Sequence, residues 1–180
     1  MISYSILVRV ILLSVGCYID SLQEAVKYTD IDYTVYTQAG MYLLYGKSPY
    51  EQETYRYSPL LAVLMIPNST SHWFGKFLFC AADICIVQIV DNILENATRG
   101  KIETDKTRLR ELKATICFLW SINPLSSNIA SRGSADSISN LLVLWLIHSV
   151  CVCCEHDLLF PLLLCLLVLD IIEIIFCALK

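Results

Sequence analysis

The chain has 180 residues, of which 56% are hydrophobic and 17% are charged, and its mean hydropathy is +0.59. An ordinary soluble domain carries about 25% charged residues, so long apolar runs with so few charges exclude that class and indicate a multi-pass membrane protein. The net charge of −4, with no basic arm or patch, excludes nucleic acid as a partner.

The first apolar run covers residues 4–19 and predicts the first membrane span. A cleaved signal peptide is the alternative, but the residues before the run carry no Lys or Arg, which favours an uncleaved span. Arg9 lies inside this run, where a charge costs roughly 2.5–3.5 kcal/mol. It therefore either extends to the cytosolic edge of the membrane or binds a buried phosphate or carboxylate, which makes it a candidate substrate-binding residue.

A long first loop, residues 20–73, follows this span and is rich in tyrosine. Tyrosine favours membrane interfaces, where its ring is half buried and its hydroxyl is hydrated. From Asp32 to Tyr45 the pattern predicts an amphipathic helix on the membrane surface that ends at Gly46. The tyrosines of the loop are Tyr28, Tyr33, Tyr36, Tyr42, Tyr45, Tyr50, Tyr55 and Tyr57.

The next apolar segments differ in length. Residues 58–66 are too short to span and predict a re-entrant or interfacial helix, whereas residues 74–94 predict a second span. Lys76 is interpreted as a cap at the lumenal end of this span, and Asp83 and Asp91 as polar contacts inside the bundle.

A basic loop fixes the predicted orientation. Residues 95–113 carry six Lys and Arg residues, so the positive-inside rule places them in the cytosol. The loop 20–73 and the turn 131–137 (SRGSADS) then lie together on the lumenal side, where their polar clusters are expected to meet.

Three further spans complete the predicted membrane domain. They cover residues 114–130, 138–154 and 159–179. Asp170 and Glu173 lie within the last of them, three residues apart and therefore on one helix face.

The paired carboxylates Asp30 and Asp32 are the candidate catalytic residues. Two acids one residue apart can hold a divalent cation, orient a hydroxyl group or act as a general base. The alternatives are a solvated loop or a helix N-cap, with Asp32 beginning the helix that follows. The sequence leaves the need for a metal open.

Two further clusters are candidate substrate-binding sites. Arg56, between Tyr55 and Tyr57, has the geometry to bind a lipid phosphate, or else anchors the loop at the interface. Arg132 and Asp136 either pair with each other across the turn or contact substrate.

Ordered matches across residues 5–147 resemble the GPI mannosyltransferase 1 family, which belongs to glycosyltransferase family 50 of the GT-C class. Their order and spacing are far more specific than the Asp-x-Asp triplet alone. The matching segments are 28–33 (YTDIDY), 46–50 (GKSPY), 54–61 (TYRYSPLL), 67–68 (PN), 74–79 (FGKFLF), 120–125 (WSINPL) and 131–137 (SRGSADS).

The resemblance implies an all-α, polytopic, GT-C-like transmembrane bundle with a long lumenal first loop carrying amphipathic interfacial helices. It implies transfer of the first α-1,4-linked mannose from dolichyl-phosphate mannose to glucosaminyl-phosphatidylinositol, with inversion. The site would face the lumen of the endoplasmic reticulum, and Asp30 or Asp32 would be the base. A single-span accessory subunit and the surrounding membrane lipid are the implied partners.

Residues 159–180 do not match the family, which continues for several more spans. The chain is therefore expected to be C-terminally truncated or divergent. Two other functions stay open: a truncated, non-catalytic membrane protein that binds the accessory subunit, and a channel or carrier component. The latter would require Arg9, Asp83, Asp170 and Glu173 to line one cavity.

Overall fold

The computed structural model describes residues 2–22, 26–98 and 103–152. These residues are all-helical, as predicted, and two single turns of 3-10 helix at Pro49–Glu51 and Ile66–Ser69 join the α-helices. The α-helices are α1 (Ile2–Leu22), α2 (Ile31–Leu44), α3 (Pro59–Leu64), α4 (Phe74–Thr98), α5 (Glu103–Ile122), α6 (Pro124–Arg132) and α7 (Asp136–Val152).

Two helices of the described chain are long and apolar enough to cross a membrane, Ile2–Leu22 and Phe74–Asn96. They coincide with the predicted spans 4–19 and 74–94, and they fit a protein that lies within the membrane. The predicted span 138–154 corresponds to α7, which is described as far as Val152. The predicted last span, 159–179, lies outside the described residues.

The predicted span 114–130 is interrupted in the structure. Helix α5 ends at Ile122, and α6 begins at Pro124. The Asn123 side chain caps α6 by accepting a hydrogen bond from the Leu125 amide at 3.0 Å. A proline in the first helical position needs no intrahelical donor, so Asn-Pro ends one helix and starts the next.

The predicted basic loop 95–113 is helical from Glu103 onwards. Lys, Arg and Glu are good helix formers, so the polar composition of this segment does not distinguish a loop from an exposed helix. The Lys113 ammonium lies 3.2 Å from the Asp91 carboxylate and 3.1 Å from that of Glu95. These ion pairs join the middle of α5 to the last third of α4.

The first loop folds against the helices instead of extending from them. Its predicted helix 32–45 is confirmed as α2, and Gly46 follows with a φ of 72°. The buried residues of α2 and α3 form one core with α4 and α7. This core contains Tyr33, Val35, Tyr36, Ala39, Tyr55, Leu61, Ala62, Met65, Phe79, Ala82, Ile138 and Leu142.

Candidate active site

A cavity of about 740 Å³ opens where the end of α1, the start of α2, the start of α4 and the end of α6 meet. Its wall combines charged, polar and aromatic side chains, and polar groups of this kind fix the orientation of a bound ligand. The lining residues are Cys17, Asp20, Val26, Lys27, Thr29, Asp30, Ile31, Thr34, His72, Trp73, Lys76 and Arg132.

Asp30 lies at the wall of this cavity and is the N-cap of α2. Its carboxylate accepts a 3.4 Å hydrogen bond from the Asp32 amide. The N-terminus of a helix carries partial positive charge, which stabilises a carboxylate there. Asp30 therefore both caps the helix and lines the cavity.

Asp32 has different surroundings, although it is only two residues away. Its carboxylate accepts a 2.8 Å hydrogen bond from the Tyr57 hydroxyl. The Tyr57 ring packs edge-on against Tyr36, with 4.7 Å between centroids. Burial raises the pKa of Tyr57 above its usual value, and the bond to the Asp32 carboxylate acts in the same direction, so the hydroxyl keeps its proton and donates.

The 28–33 segment and the 131–137 turn meet at this cavity, as the sequence predicted. The Asp30 amide donates to the Arg132 carbonyl at 3.0 Å, and Arg132 Nε donates to the Tyr28 carbonyl at 3.1 Å. Gly133 has a φ of 93°, and an added Cβ there would lie 2.4 Å from the Tyr33 ring. The turn therefore needs glycine both for its backbone and for this close approach.

Tyr33 holds the site together from inside. Its side chain is fully buried, and its hydroxyl shares one proton between two acceptors, the Asn68 amide oxygen at 2.9 Å and the His72 carbonyl at 2.6 Å. It also accepts from the Lys76 amide at 3.2 Å. One hydroxyl thus fixes the first turn of α4 relative to α2.

Lys76 and Asp20 form a second charged centre in the cavity wall, which sequence reasoning missed. The Lys76 ammonium donates to the Thr29 hydroxyl at 2.6 Å and lies 3.7 Å from the Asp20 carboxylate. A usable signal was present: a lysine in the first turn of a helix opposes the helix dipole, so it requires another source of stabilisation.

The other predicted substrate-binding residues are placed differently. Arg56 is exposed and lies outside the residues that line the cavity. Tyr55 is buried, and its hydroxyl donates to the Ser58 carbonyl at 2.6 Å. Asp136 begins α7 and lines a neighbouring cavity of about 380 Å³. Among the described residues, no ion pair joins it to Arg132.

Arg9 binds a buried carboxylate of the chain itself, that of Asp83, and its contact with substrate stays a prediction. It is 1% exposed, and its Nε donates to Asp83 at 3.1 Å. The other Asp83 oxygen accepts hydrogen bonds from Trp120 and Ser126. Arg9 and Asp83 therefore neutralise each other, while Asp170 and Glu173 of the channel hypothesis lie outside the described residues.

The described residues contain no group of three or more His, Cys, Asp and Glu side chains placed to hold a metal ion. Asp30 lines the cavity, whereas the Asp32 carboxylate accepts a hydrogen bond from Tyr57.

Comparison with known proteins supports the resemblance found in the sequence. GPI mannosyltransferase 1 of Dictyostelium discoideum is 45% identical over 66% of this chain and 26% of its own length. The protein of that name from Eremothecium gossypii is 38% identical over 79% of this chain and 34% of its own. "GPI alpha-1,4-mannosyltransferase I, catalytic subunit" of Danio rerio is 38% identical over 77% and 33%.

The chain therefore spans about one third or less of the length of these curated relatives. No solved structure matches it significantly. The family model described as "GPI transamidase subunit PIG-U" matches residues 3–179, almost the whole chain. The chain thus belongs to the PIG-U family, and the curated relatives it resembles are GPI mannosyltransferases.

Proposed function

We propose that this chain carries the acceptor-activating part of a GPI mannosyltransferase. It would serve transfer of the first α-1,4-linked mannose from dolichyl-phosphate mannose to glucosaminyl-phosphatidylinositol. The names of the relatives support the reaction class. The two apolar helices support a location in a membrane, which we propose to be that of the endoplasmic reticulum, with the cavity facing the lumen.

One observation carries the assignment of roles: Asp30 lines the cavity, whereas Asp32 is bound by Tyr57. Asp30 is therefore the proposed base. Its carboxylate takes the proton of the acceptor hydroxyl, whose oxygen forms the new bond to the anomeric carbon. The bond from that carbon to the phosphate breaks in the same displacement, which inverts the configuration, and the lipid phosphate leaves.

Asp32 is the proposed positioning residue. Its amide bonds to the Asp30 side chain, and its own carboxylate is held by Tyr57. Together these bonds orient the first turn of α2. A base contributes to rate only when it lies within hydrogen-bond distance of the proton that it removes, so a displacement of this turn would lower transfer.

A single-span accessory subunit remains the proposed partner. One face of α1 exposes large apolar side chains, which suits contact with lipid or with another transmembrane helix. These side chains include Tyr4, Leu7, Val10, Ile11 and Tyr18.

The test is mannose transfer in microsomes from cells that lack the first-mannose activity. The parent chain is compared with Asp30→Asn, Asp32→Asn and the control Glu53→Gln, which changes an exposed carboxylate of the same loop. We expect the parent and the control to transfer mannose, Asp30→Asn to lose transfer, and Asp32→Asn to retain a reduced rate. Undiminished transfer by Asp30→Asn would refute the assignment, as would absence of transfer by an abundant parent chain.

The family match favours a second candidate, a non-catalytic subunit of a GPI-handling complex. Such a subunit would bind its partner and the lipid without performing chemistry. It predicts association with transamidase components and equal complex formation by the parent and Asp30→Asn. Co-purification from solubilised membranes, measured beside mannose transfer, separates the two candidates.

A further inference from the structure

The ammonium of Lys76 lies in the wall of the cavity, on the first turn of α4. We infer that this group binds a phosphate carried by a lipid, and that it is the specificity-determining cation of the cavity. The identity of the lipid rests on the proposed function, whereas the binding of a phosphate is inferred from the charges of this chain's own residues.

Asp20 compensates the charge of Lys76 only partly. One Asp20 carboxylate oxygen accepts from the Tyr28 amide at 2.5 Å and the Thr29 amide at 3.1 Å. The other accepts from the Thr29 hydroxyl. The Lys76 ammonium is 3.7 Å away, which is beyond hydrogen-bond distance.

The remaining hydrogen-bonding capacity of Lys76 suits an anion. An ammonium has three N–H donors, and within the described residues one of them is directed to the Thr29 hydroxyl at 2.6 Å. The rings of Trp73 and Tyr33 lie 5.5 and 5.8 Å from the same nitrogen. These rings support a cation at this position without occupying its donors.

The cavity wall as a whole also favours an anion. Three cations, Lys27, Lys76 and Arg132, line it against two carboxylates, Asp20 and Asp30, so with His72 neutral the excess is one positive charge. A phosphate oxygen beside Lys76 would accept a charge-assisted hydrogen bond from the ammonium. The wall therefore matches a single anionic group.

The depth of the cavity indicates a phosphate attached to a lipid. Lys76 lies two residues after Phe74, where one candidate span begins, and Asp20 two residues before Leu22, where the other ends. Exposed aromatic side chains of Tyr18 and Phe77 lie on the same helix ends. Aromatic rings concentrate at the level of lipid headgroups, so the phosphate enters from the membrane.

A binding experiment on the chain itself tests this inference. The protein is placed in phosphatidylcholine nanodiscs, and tryptophan fluorescence is followed as dolichyl phosphate, phosphatidylinositol or uncharged dolichol is added. Trp73 lines the cavity, so it reports on occupancy, and Trp73→Phe identifies its share of the signal. The first two lipids distinguish a donor phosphate from an acceptor phosphate. Dolichol, which has no phosphate, shows the contribution of the hydrocarbon part of the lipid.

We expect one of the two anionic lipids to bind, and Lys76→Gln to weaken that binding roughly ten- to hundredfold, the effect of losing a charge-assisted hydrogen bond. Lys76→Arg should retain most of the affinity. Lys47→Gln, which changes an exposed cation outside the cavity, should bind like the parent. Equal affinities of the parent and Lys76→Gln, or an equal loss with Lys47→Gln, would overturn the inference.

Removing Lys76 leaves Asp20 without its cation, so Lys76→Gln could unfold. The double variant Asp20→Asn, Lys76→Gln keeps polar side chains of similar size without either charge. Parental affinity in the folded double variant refutes the role of Lys76, and loss of affinity at a temperature where the double variant is still folded supports it. Lysine-dependent binding without mannose transfer would sustain this inference while refuting the proposed function.

Discussion

Two ion pairs join α1 to α4. In one of them α1 supplies the cation, in the other it supplies the anion, and the two pairs differ in burial and in separation. Arg9 of α1 binds Asp83 of α4, and both side chains are almost fully buried, at 2% and 3% exposure. Asp20 of α1 lies near Lys76 of α4, with side-chain exposures of 21% and 5% and a separation of 3.7 Å. The first is a closed pair and the second an open pair that faces the cavity.

The difference shows what each pair does. Arg9 also donates to the Ser5 and Ser121 carbonyls at 2.8 and 3.2 Å, so the closed pair is surrounded by protein partners. Such a pair fixes the register of α1 against α4 and has little capacity for a ligand. In the open pair the acid is occupied by the 28–29 backbone, and the ammonium faces the cavity.

Breaking the closed pair should have the largest effect. Asp83→Leu leaves the Arg9 guanidinium buried without its carboxylate, and we expect a loss of about 3–5 kcal/mol in the free energy of unfolding. The protein should fail to accumulate or should unfold at a much lower temperature in detergent. The double variant Arg9→Met, Asp83→Leu removes both charges and should recover most of the loss. An unfolding temperature of Asp83→Leu equal to the parent's would show that this pair does not stabilise the fold.

Removing the carboxylate of the open pair should lower the free energy of unfolding by a smaller amount. Asp20→Asn replaces a charged acceptor of the Tyr28 and Thr29 amides by a neutral one, and we expect a loss of about 2 kcal/mol. The matched control is Glu53→Gln, in an exposed position, which should unfold like the parent. Thermal unfolding followed by intrinsic fluorescence measures both. A larger loss for Asp20→Asn than for Asp83→Leu would reverse the roles assigned to the two pairs.

A third variant acts on the support of the open pair alone. Tyr33→Phe removes the hydroxyl that bonds Asn68, the His72 carbonyl and the Lys76 amide. We expect a loss of about 1–2 kcal/mol in unfolding free energy.

Lipid-phosphate binding in nanodiscs should weaken in the same variant, because the first turn of α4 loses its anchor. Tyr45→Phe, on an exposed ring, is the control. Parental binding and stability in Tyr33→Phe would show that the position of Lys76 does not depend on this hydroxyl.

The sequence predicted much of the local structure around the cavity. The helix 32–45 was recognised because apolar periodicity, an acidic start and a terminal glycine all agree there. The meeting of the 28–33 and 131–137 segments followed from topology, and the hydrogen bonds that Arg132 makes with Asp30 and Tyr28 confirm it. The membrane side on which they meet stays a prediction.

The features that the sequence did not predict fall into two groups. Some depend on tertiary contacts, and others had a local sequence signal that the overall composition of the segment contradicted. Asp20 and Lys76 are far apart in the chain, and the sequence around each of them does not indicate that they pair. The break at Asn123 was visible as Asn-Pro, but the apolar run across it favoured one continuous helix. Similarly, the charges of residues 103–113 indicated a loop, although their helix propensity and the ion pairs of Lys113 favour a helix.

The smallest expected effect is a pH dependence that touches only the open pair. Burial lowers the pKa of His72 below its usual value, and the nearby cations Lys76 and Lys27 lower it further, while Asp20 opposes them. A folded-state pKa below the unfolded value of 6.5 means that the fold favours neutral His72. The stabilisation is therefore present above pH 6.5 and is lost as the pH falls through the folded-state pKa.

His72→Asn should remove this dependence. Because His72 is partly exposed to solvent, which screens its charge, we expect the parent to lose less than about 1 kcal/mol relative to the variant as the medium becomes acidic. Unfolding temperatures of both proteins across that range measure the difference. The closed pair offers the internal control, because adding His72→Asn to Arg9→Met, Asp83→Leu should change the pH dependence by the same amount. Parallel pH profiles for the parent and His72→Asn would mean that the fold does not oppose protonation of His72 beside Lys76. The open pair would then be more hydrated than its 3.7 Å separation and the burial of Lys76 imply.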